Sequence, residues 1–213
     1  MKLFGYWRST AAYRVRIALN LKGIEVEHRS VHLVKGGGEQ HQEDYRSMNP
    51  EGLVPLLVDG DAQISQSLAI IHYLERTHPE PSLLSSDPLL SAQIESVAQS
   101  ICCDIHPLNN LRVLQYLSRE WGVSDDDKQA WYAHWIEQGF TALETRLASQ
   151  PESRFCFGDK PTLADVCLVP QVYNANRFHC PMDAYPRIQA INAACLELDA
   201  FDDARPEVQP DAG

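Results

Sequence analysis

"KLFGYWRSTAAYRVRIALNLKG", residues 2–23, decides how the first third of the chain is read. It opens on a short apolar, aromatic-rich run, the composition of a strand. "AAYRVRIALNLKG" then carries a helical pattern, with Gly23 placed as the C′ residue that closes it. Between the two lie Ser9 and Thr10, whose hydroxyl oxygens suit the unpaired N–H groups of a helix start. A strand that feeds a helix through a small hydroxyl-bearing turn, flanked by arginines, is the element around which the rest is placed.

Downstream, "IEVEHRSVHL" reads as a strand on the strength of Val26, Val31 and Leu33. "GGGEQHQEDYRSMNP" reads as a flexible glycine connection plus a short polar helix, without the Gly-Lys-Ser/Thr of a phosphate loop. "LVPLLVDG" and "AQIS" are two brief strands joined at Asp59-Gly60, and "SLAIIHYLERTH" is a helix. The order β-α-β-α-β-β-α therefore occupies the first 78 or so residues. "THPEPSLLSSDPLL", residues 77–90, breaks helices with three prolines and marks a boundary.

Beyond Leu89 the patterns are helical. Trp131, Trp135, Ile136, Phe140, Leu143 and Leu147 recur at spacings of three and four, the stripe of a core-facing helix. Thr162 with Asp165 three positions on reads as a capping box opening a buried helix. The last stretch, "DARPEVQPDAG", is polar and proline-bearing and is expected to be loosely held.

Composition excludes several classes. The 213 residues hold 18 Lys and Arg against 29 Asp and Glu, a net charge of −11 that repels a polyphosphate backbone, so nucleic acid is not an expected partner. No stretch is apolar and long enough for a membrane span, and the start lacks the pattern of a secretory leader, so a cytoplasmic location is expected. Six cysteines without a CxxC pair read as reduced, buried thiols. His28 and His32 share a strand face without a third ligand, so no metal is assigned.

The motifs together resemble the glutathione S-transferases. "RSTAAYRVRIALNLKGI" is similar to the zeta-class signature, in which a Ser-Ser-Cys turn opens the first helix. "NPEGLVPLL" resembles the segment holding that class's cis-proline, "QSLAIIHYLE" its Gln-Ser glutathione contact and "GDKPTLADVCLVPQV" its capped core helix. "CDIHPLNNLRVLQYL" and "YPRIQAI" extend the likeness over nearly the whole chain. The resemblance implies a thioredoxin-like α/β domain at 1–80 and an all-α domain at 88–213, the glutathione S-transferase fold. It further implies a homodimer and a glutathione-dependent isomerase of maleylacetoacetate, from tyrosine and phenylalanine breakdown, with maleylpyruvate isomerisation or another zeta-class glutathione transferase activity as the alternative. The rival from another class is a glutathione-transferase fold kept as a binding module without catalysis.

The residues give this reading a physical basis. A cysteine thiol has a pKa of about 8.5, and lowering it by about two units takes roughly 2.7 kcal/mol. One hydroxyl hydrogen bond, from the turn of Ser9 and Thr10, plus the positive end of the first helix can supply most of that to a thiolate beside Ala11. By the resemblance Val54 and Pro55 present backbone to the tripeptide, Gln66 and Ser67 hold its γ-glutamyl carboxylate, Gln40 reaches its glycyl side, and His106 and Asn110 approach it from the helical domain. Arg8, Arg112 and Arg177 are the candidates for a substrate with two carboxylates, since the guanidinium fork binds carboxylate bidentately. Arg14 and Arg16 read as structural. Ala11 stands where the zeta signature has its cysteine, which counts against reactions that need a protein thiol there.

Overall fold

The computed structural model describes residues 1–212, which divide into two compact units: Met1–Ser82 with the segment from Glu197 onward, and Leu83–Leu196.

The first unit is a four-stranded sheet with helices on both faces. Its elements are β1 (Lys2–Gly5), α1 (Thr10–Leu21), β2 (Glu27–Ser30), α2 (Glu43–Met48), β3 (Leu56–Asp59), β4 (Ala62–Ser65) and α3 (Ser67–Thr77). The strand order is β2-β1-β3-β4. β1 runs parallel to β2, which requires the helical crossover of α1, and antiparallel to β3, which pairs with β4 through a hairpin. That hairpin turns at Gly60, whose φ of 56° a side-chain-bearing residue seldom adopts. Leu56 and Leu57 point to opposite faces yet are 1% and 0% exposed, because α1 and α3 cover one side and α2 the other. Val15, Ile17, Ala18, Ile70, Ile71 and Leu74 fill the α1–α3 layer, and Val31, Tyr45 and Leu56 the opposite one. The element order is the one read from the sequence, and the unit is thioredoxin-like.

β2 is shorter than its β-forming residues suggest. Val26 and Val31 flank the strand, and Glu27–Ser30 are all exposed. It is an edge strand, and charged side chains there discourage pairing with another chain. The glycine connection includes a 3-10 turn, Lys35–Gly37, with Gly36, Gly37 and the capping Gly38 all at positive φ, and a Cβ on Gly38 would lie 2.5 Å from the Gln40 side chain.

The expectation of a loose tail is overturned. After a short helix, α9 (Asp199–Asp202), the chain packs on α1. Phe201, Ala204 and Pro206 are buried. Arg16 donates from Nε to the Ala204 carbonyl at 3.0 Å, and Asp211 accepts from the Trp7 backbone N–H at 3.1 Å and the Ser30 hydroxyl at 2.9 Å. The helical region expected to run from 88 to the end therefore gives up its last segment to the sheet-bearing unit.

The second unit is helical: α4 (Pro88–Gln99), α5 (Leu111–Trp121), α6 (Asp125–Ala148), α7 (Leu163–Arg177) and α8 (Pro186–Leu196). α4 runs on through a π-helical turn, Ser100–Ile105, and a 3-10 turn, His106–Asn109. α7 is buried nearly all round and carries the unit's core with α4 and α8. Its start is the capping box read from the sequence, with Asp165 accepting from the Thr162 N–H at 2.8 Å. On α6, Ile136, Phe140, Leu143 and Leu147 are core, but Trp131 and Trp135 are only half-buried and Tyr132 takes the inner position between them. No disulfide forms among the described residues, and on the π-helical turn Cys102 is half-buried and Cys103 exposed rather than buried. No helix among the described residues is long and apolar enough to cross a membrane.

Candidate active site

Register places the site within the first unit. Phe4 of β1 faces Leu56, where β3 begins, and Leu56 in turn faces Ser65, where β4 ends. Gly5 faces Ser30, the end of β2. The turn 6–9, the pair Val54-Pro55, the pair Gln66-Ser67 and the loop that reaches Gln40 therefore all leave the sheet at one end. Ligand sites gather at such an edge in α/β folds because helix N-termini converge there.

Ser9 is the N-cap of α1, its Oγ accepting from the Ala12 N–H at 3.2 Å. Capping uses a lone pair and leaves the hydroxyl proton free to donate outward. Thr10 is buried as the first residue of α1, and Ala11 is half-buried beside it. The turn is held on three sides: the Ser9 N–H donates to the Tyr6 carbonyl, Arg16 Nη2 to the Trp7 carbonyl and the Trp7 N–H to Asp211. Arg8 lies over the Trp7 ring, 4.5 Å from its centroid, and donates to the Tyr6 hydroxyl. It has no carboxylate partner among the described residues, and its Nε is buried without an acceptor.

The peptide bond before Pro55 is cis. Leu53, just ahead of Val54, is pinned by its carbonyl, which accepts from Tyr45 Oη at 2.6 Å and from Asn49 Nδ2 at 2.8 Å. Gln66 caps α3 with φ 69° and ψ 117°, a costly conformation for a residue other than glycine. Its side chain is exposed and donates to Glu51. Ser67, buried at the first position of α3, accepts from Arg14 Nη1 at 3.3 Å. Gln40 is buried, with Nε2 on the Leu33 carbonyl and Oε1 without a partner.

In the second unit, His106 is half-buried at the start of the 3-10 turn. Asn110 is the N-cap of α5 and accepts from the Arg112 backbone N–H at 3.1 Å. The Arg112 side chain is exposed; Arg177, at the end of α7, is exposed and lies against the Phe178 ring. Neither arginine forms an ion pair among the described residues.

Two residues escape the sequence reading. Arg14, taken as structural, touches Ser67. Asp211, in the tail taken as loose, holds the turn that carries Ser9. The sequence marks Arg14 no more than Arg16, since neither arginine of the apolar run "AAYRVRIAL" has an acid within one helical turn to pair with. Asp211 carries no local signal either.

The chemistry of the first unit's donors fits glutathione. Two helix N-termini offer N–H groups to anions, the Ser9 and Ser67 hydroxyls each retain a proton to donate, and Arg14 is a buried cation without a counter-charge. Comparison with known proteins agrees. Residues 3–82 match the glutathione S-transferase N-terminal domain family and residues 129–191 the C-terminal one. A probable maleylacetoacetate isomerase of Vibrio cholerae is 51% identical over 99% of this chain and 97% of its own. A solved holo maleylpyruvate isomerase, a bacterial zeta-class glutathione S-transferase, superposes with a TM-score of 0.97 at 46% identity, covering 100% of both chains. A maleylacetoacetate isomerase of Methylobacterium extorquens AM1, solved with bound malonate and glutathione, gives 0.95 at 40% identity, again over 100% of both. This chain belongs to the zeta class of the glutathione S-transferases, among the maleylacetoacetate and maleylpyruvate isomerases.

Proposed function

We propose that the protein is a glutathione-dependent cis-trans isomerase that converts maleylacetoacetate to its fumaryl isomer. The observation that carries the reading is the sheet end itself, where Ser9 caps α1 with its hydroxyl proton unspent and Ser67 opens α3 against a buried cation. Glutathione, when bound, would supply a thiolate whose reversible addition and expulsion lets the maleyl double bond become single, rotate and re-form. Ser9 donates its hydroxyl proton to that sulfur as a hydrogen bond, and the α1 N-terminus adds its positive end, so the ionised form is favoured at neutral pH. Thr10 and Ala11 line the same turn. Gln66 and Ser67 receive the γ-glutamyl carboxylate at the α3 N-terminus, Val54 and Pro55 offer backbone to the middle of the tripeptide, and Gln40 faces its glycyl end.

Arg8, fixed by the Trp7 ring and the Tyr6 hydroxyl, is preorganised to hold a substrate carboxylate and to stabilise negative charge as it develops. By likeness to the family, Arg112 and Arg177 are assigned to substrate carboxylates, and His106 and Asn110 to the ligands. The homodimer is carried over on the same ground, and the cytoplasmic location is kept as the sequence reading gives it. The deciding measurement follows loss of the cis-enone absorbance of maleylacetoacetate and of maleylpyruvate, with and without glutathione. Turnover of maleylacetoacetate that requires the tripeptide supports the reading. Turnover of maleylpyruvate alone moves the substrate to the alternative, and absence of both with intact glutathione binding leaves a binding module.

A further inference from the structure

Three cations of α1 and its C-cap are buried, and two are fully provided for. Lys22 meets Glu75 at 2.5 Å and the carbonyls of His78 and Pro81. Arg16 meets the carbonyls of Ala204 and Trp7. Arg14, 2% exposed, meets only the Ser67 hydroxyl through Nη1, while Nε and Nη2 are buried with no protein acceptor. No carboxylate among the described residues pairs with it. A guanidinium stays charged in proteins, and a buried charge without its opposite is costly, so the fold carries an imbalance that an arriving anion would correct.

We propose that Arg14 is a positioning residue for glutathione: it occupies a lone pair of Ser67 Oγ, turns that hydroxyl's proton toward the γ-glutamyl α-carboxylate, and has its own charge balanced by that carboxylate. The inference rests on the assignment of Ser67 to the γ-glutamyl end. Because Nη1 is a donor, Ser67 can only accept from it, which leaves the hydroxyl proton for the ligand. The buried setting also means that salt screens the attraction little. Arg14 and Ser67 thereby act as one unit, with the arginine never needing to reach the solvent.

Calorimetric titration of the full chain with glutathione, and with 4-aminobutyryl-cysteinyl-glycine, which lacks only that carboxylate, tests this alongside thermal unfolding of the unliganded protein. Arg14→Met is expected to bind glutathione about tenfold more weakly and the analogue within about twofold of the unaltered protein, the loss of one hydrogen-bonded charge contact. Its unliganded form is expected to melt no lower than the parent, and Arg14→Lys to recover part of the preference for glutathione. Should Arg14→Met fail to fold, Arg14→Gln, which also lacks the charge, carries the same expectation. Equal weakening of both ligands with a lower melting temperature means a structural role and overturns the proposal, as does an unchanged preference. Ser67→Ala separates the two levels. If it keeps the full preference, the assignment of Ser67 fails; if it loses the preference while Arg14→Met keeps it, only the role of Arg14 fails.

Discussion

The backbone N–H of Trp7 donates to the Asp211 carboxylate at 3.1 Å, across 204 positions of sequence. The same oxygen accepts from the Ser30 hydroxyl at 2.9 Å, so one tail residue ties the end of β2 to the turn that carries Ser9. The turn keeps two other anchors, the Arg16 guanidinium on the Trp7 carbonyl and the Tyr6 carbonyl on the Ser9 N–H. Asp211→Ala should therefore leave the fold intact at a cost of about 1–2 kcal/mol, as expected for half-exposed bonds to a charged acceptor. The less firmly placed hydroxyl should lower kcat by about three- to tenfold. Steady-state kinetics beside urea unfolding check this; a variant equally stable and equally fast would show that the tail does not position the turn.

Ser9 has two jobs that a pair of substitutions can part. Its Oγ caps α1 and its proton is assigned to the sulfur. Ser9→Ala loses both, about 1 kcal/mol of stability with a turnover lower by at least about tenfold, whereas Ser9→Gly keeps a good N-cap residue and forfeits only a few tenths. If turnover in Ser9→Gly falls as far as in Ser9→Ala, the hydroxyl proton and not the helix start is responsible. A Gly variant as fast as the parent would refute the assignment.

Which parts of this molecule can be read from residues alone depends on the range of the interactions. The element order of the first unit follows from local patterns, since "AAYRVRIALNLKG" and "LVPLLVDG" each carry their period within one segment. The capping box is legible for the same reason, its two members being three residues apart. The tail is not, because what holds it is a carbonyl at Ala204 and a carboxylate at Asp211, with partners 188 and 204 positions away. Arg14 and Arg16 look alike in sequence, yet two helical steps turn them by about 200°, one toward α3 and one toward the tail. Ser9 and Ser67 are visible as helix-start residues, but a helix start by itself has no chemistry. The register that brings both to one sheet end is what sequence leaves out.

Tyr45 should reveal itself at alkaline pH. Burial foremost, with Glu51 adding and an Asn49 hydrogen bond opposing, pushes its phenol from the ordinary 10.0 up to about 12. Below the ordinary value both folded and unfolded chains hold the proton. Above it the unfolded chain ionises while the folded one does not, so stability falls as pH rises toward 12. Tyr45→Phe should flatten that fall, while at neutral pH it costs about 1 kcal/mol for the lost bond to the Leu53 carbonyl. Asn49 still holds that carbonyl, so Val54 stays in place and the Michaelis constant for glutathione should rise by no more than about threefold, less than one full hydrogen bond. Denaturant midpoints of both proteins across this pH range supply the check, and parallel curves would exclude Tyr45 as the source.

The second unit depends on Asp165, which is fully buried and accepts from the Cys156 N–H, the Thr162 N–H and the Thr162 hydroxyl at 2.8 Å each. These bonds fold the segment 156–162 over the start of α7, the helix that carries the unit's core. Asp165→Ala strands the donors in the interior and should cost about 3–5 kcal/mol, a large share of an ordinary domain's total of 5–15. Asp165→Asn retains an oxygen for Cys156, but its amide N–H groups then face the Thr162 N–H, which can only donate, while the Thr162 hydroxyl can rotate to accept, so roughly 1–3 kcal/mol is expected. Thr162→Ser preserves every bond and should lose less than about 1 kcal/mol. Urea unfolding should therefore rank the variants Thr162→Ser, Asp165→Asn and Asp165→Ala from most to least stable. An Asn variant as stable as the parent would mean that shape rather than acceptor charge holds this turn, since the two side chains are nearly the same size and differ chiefly in which atoms can receive a proton.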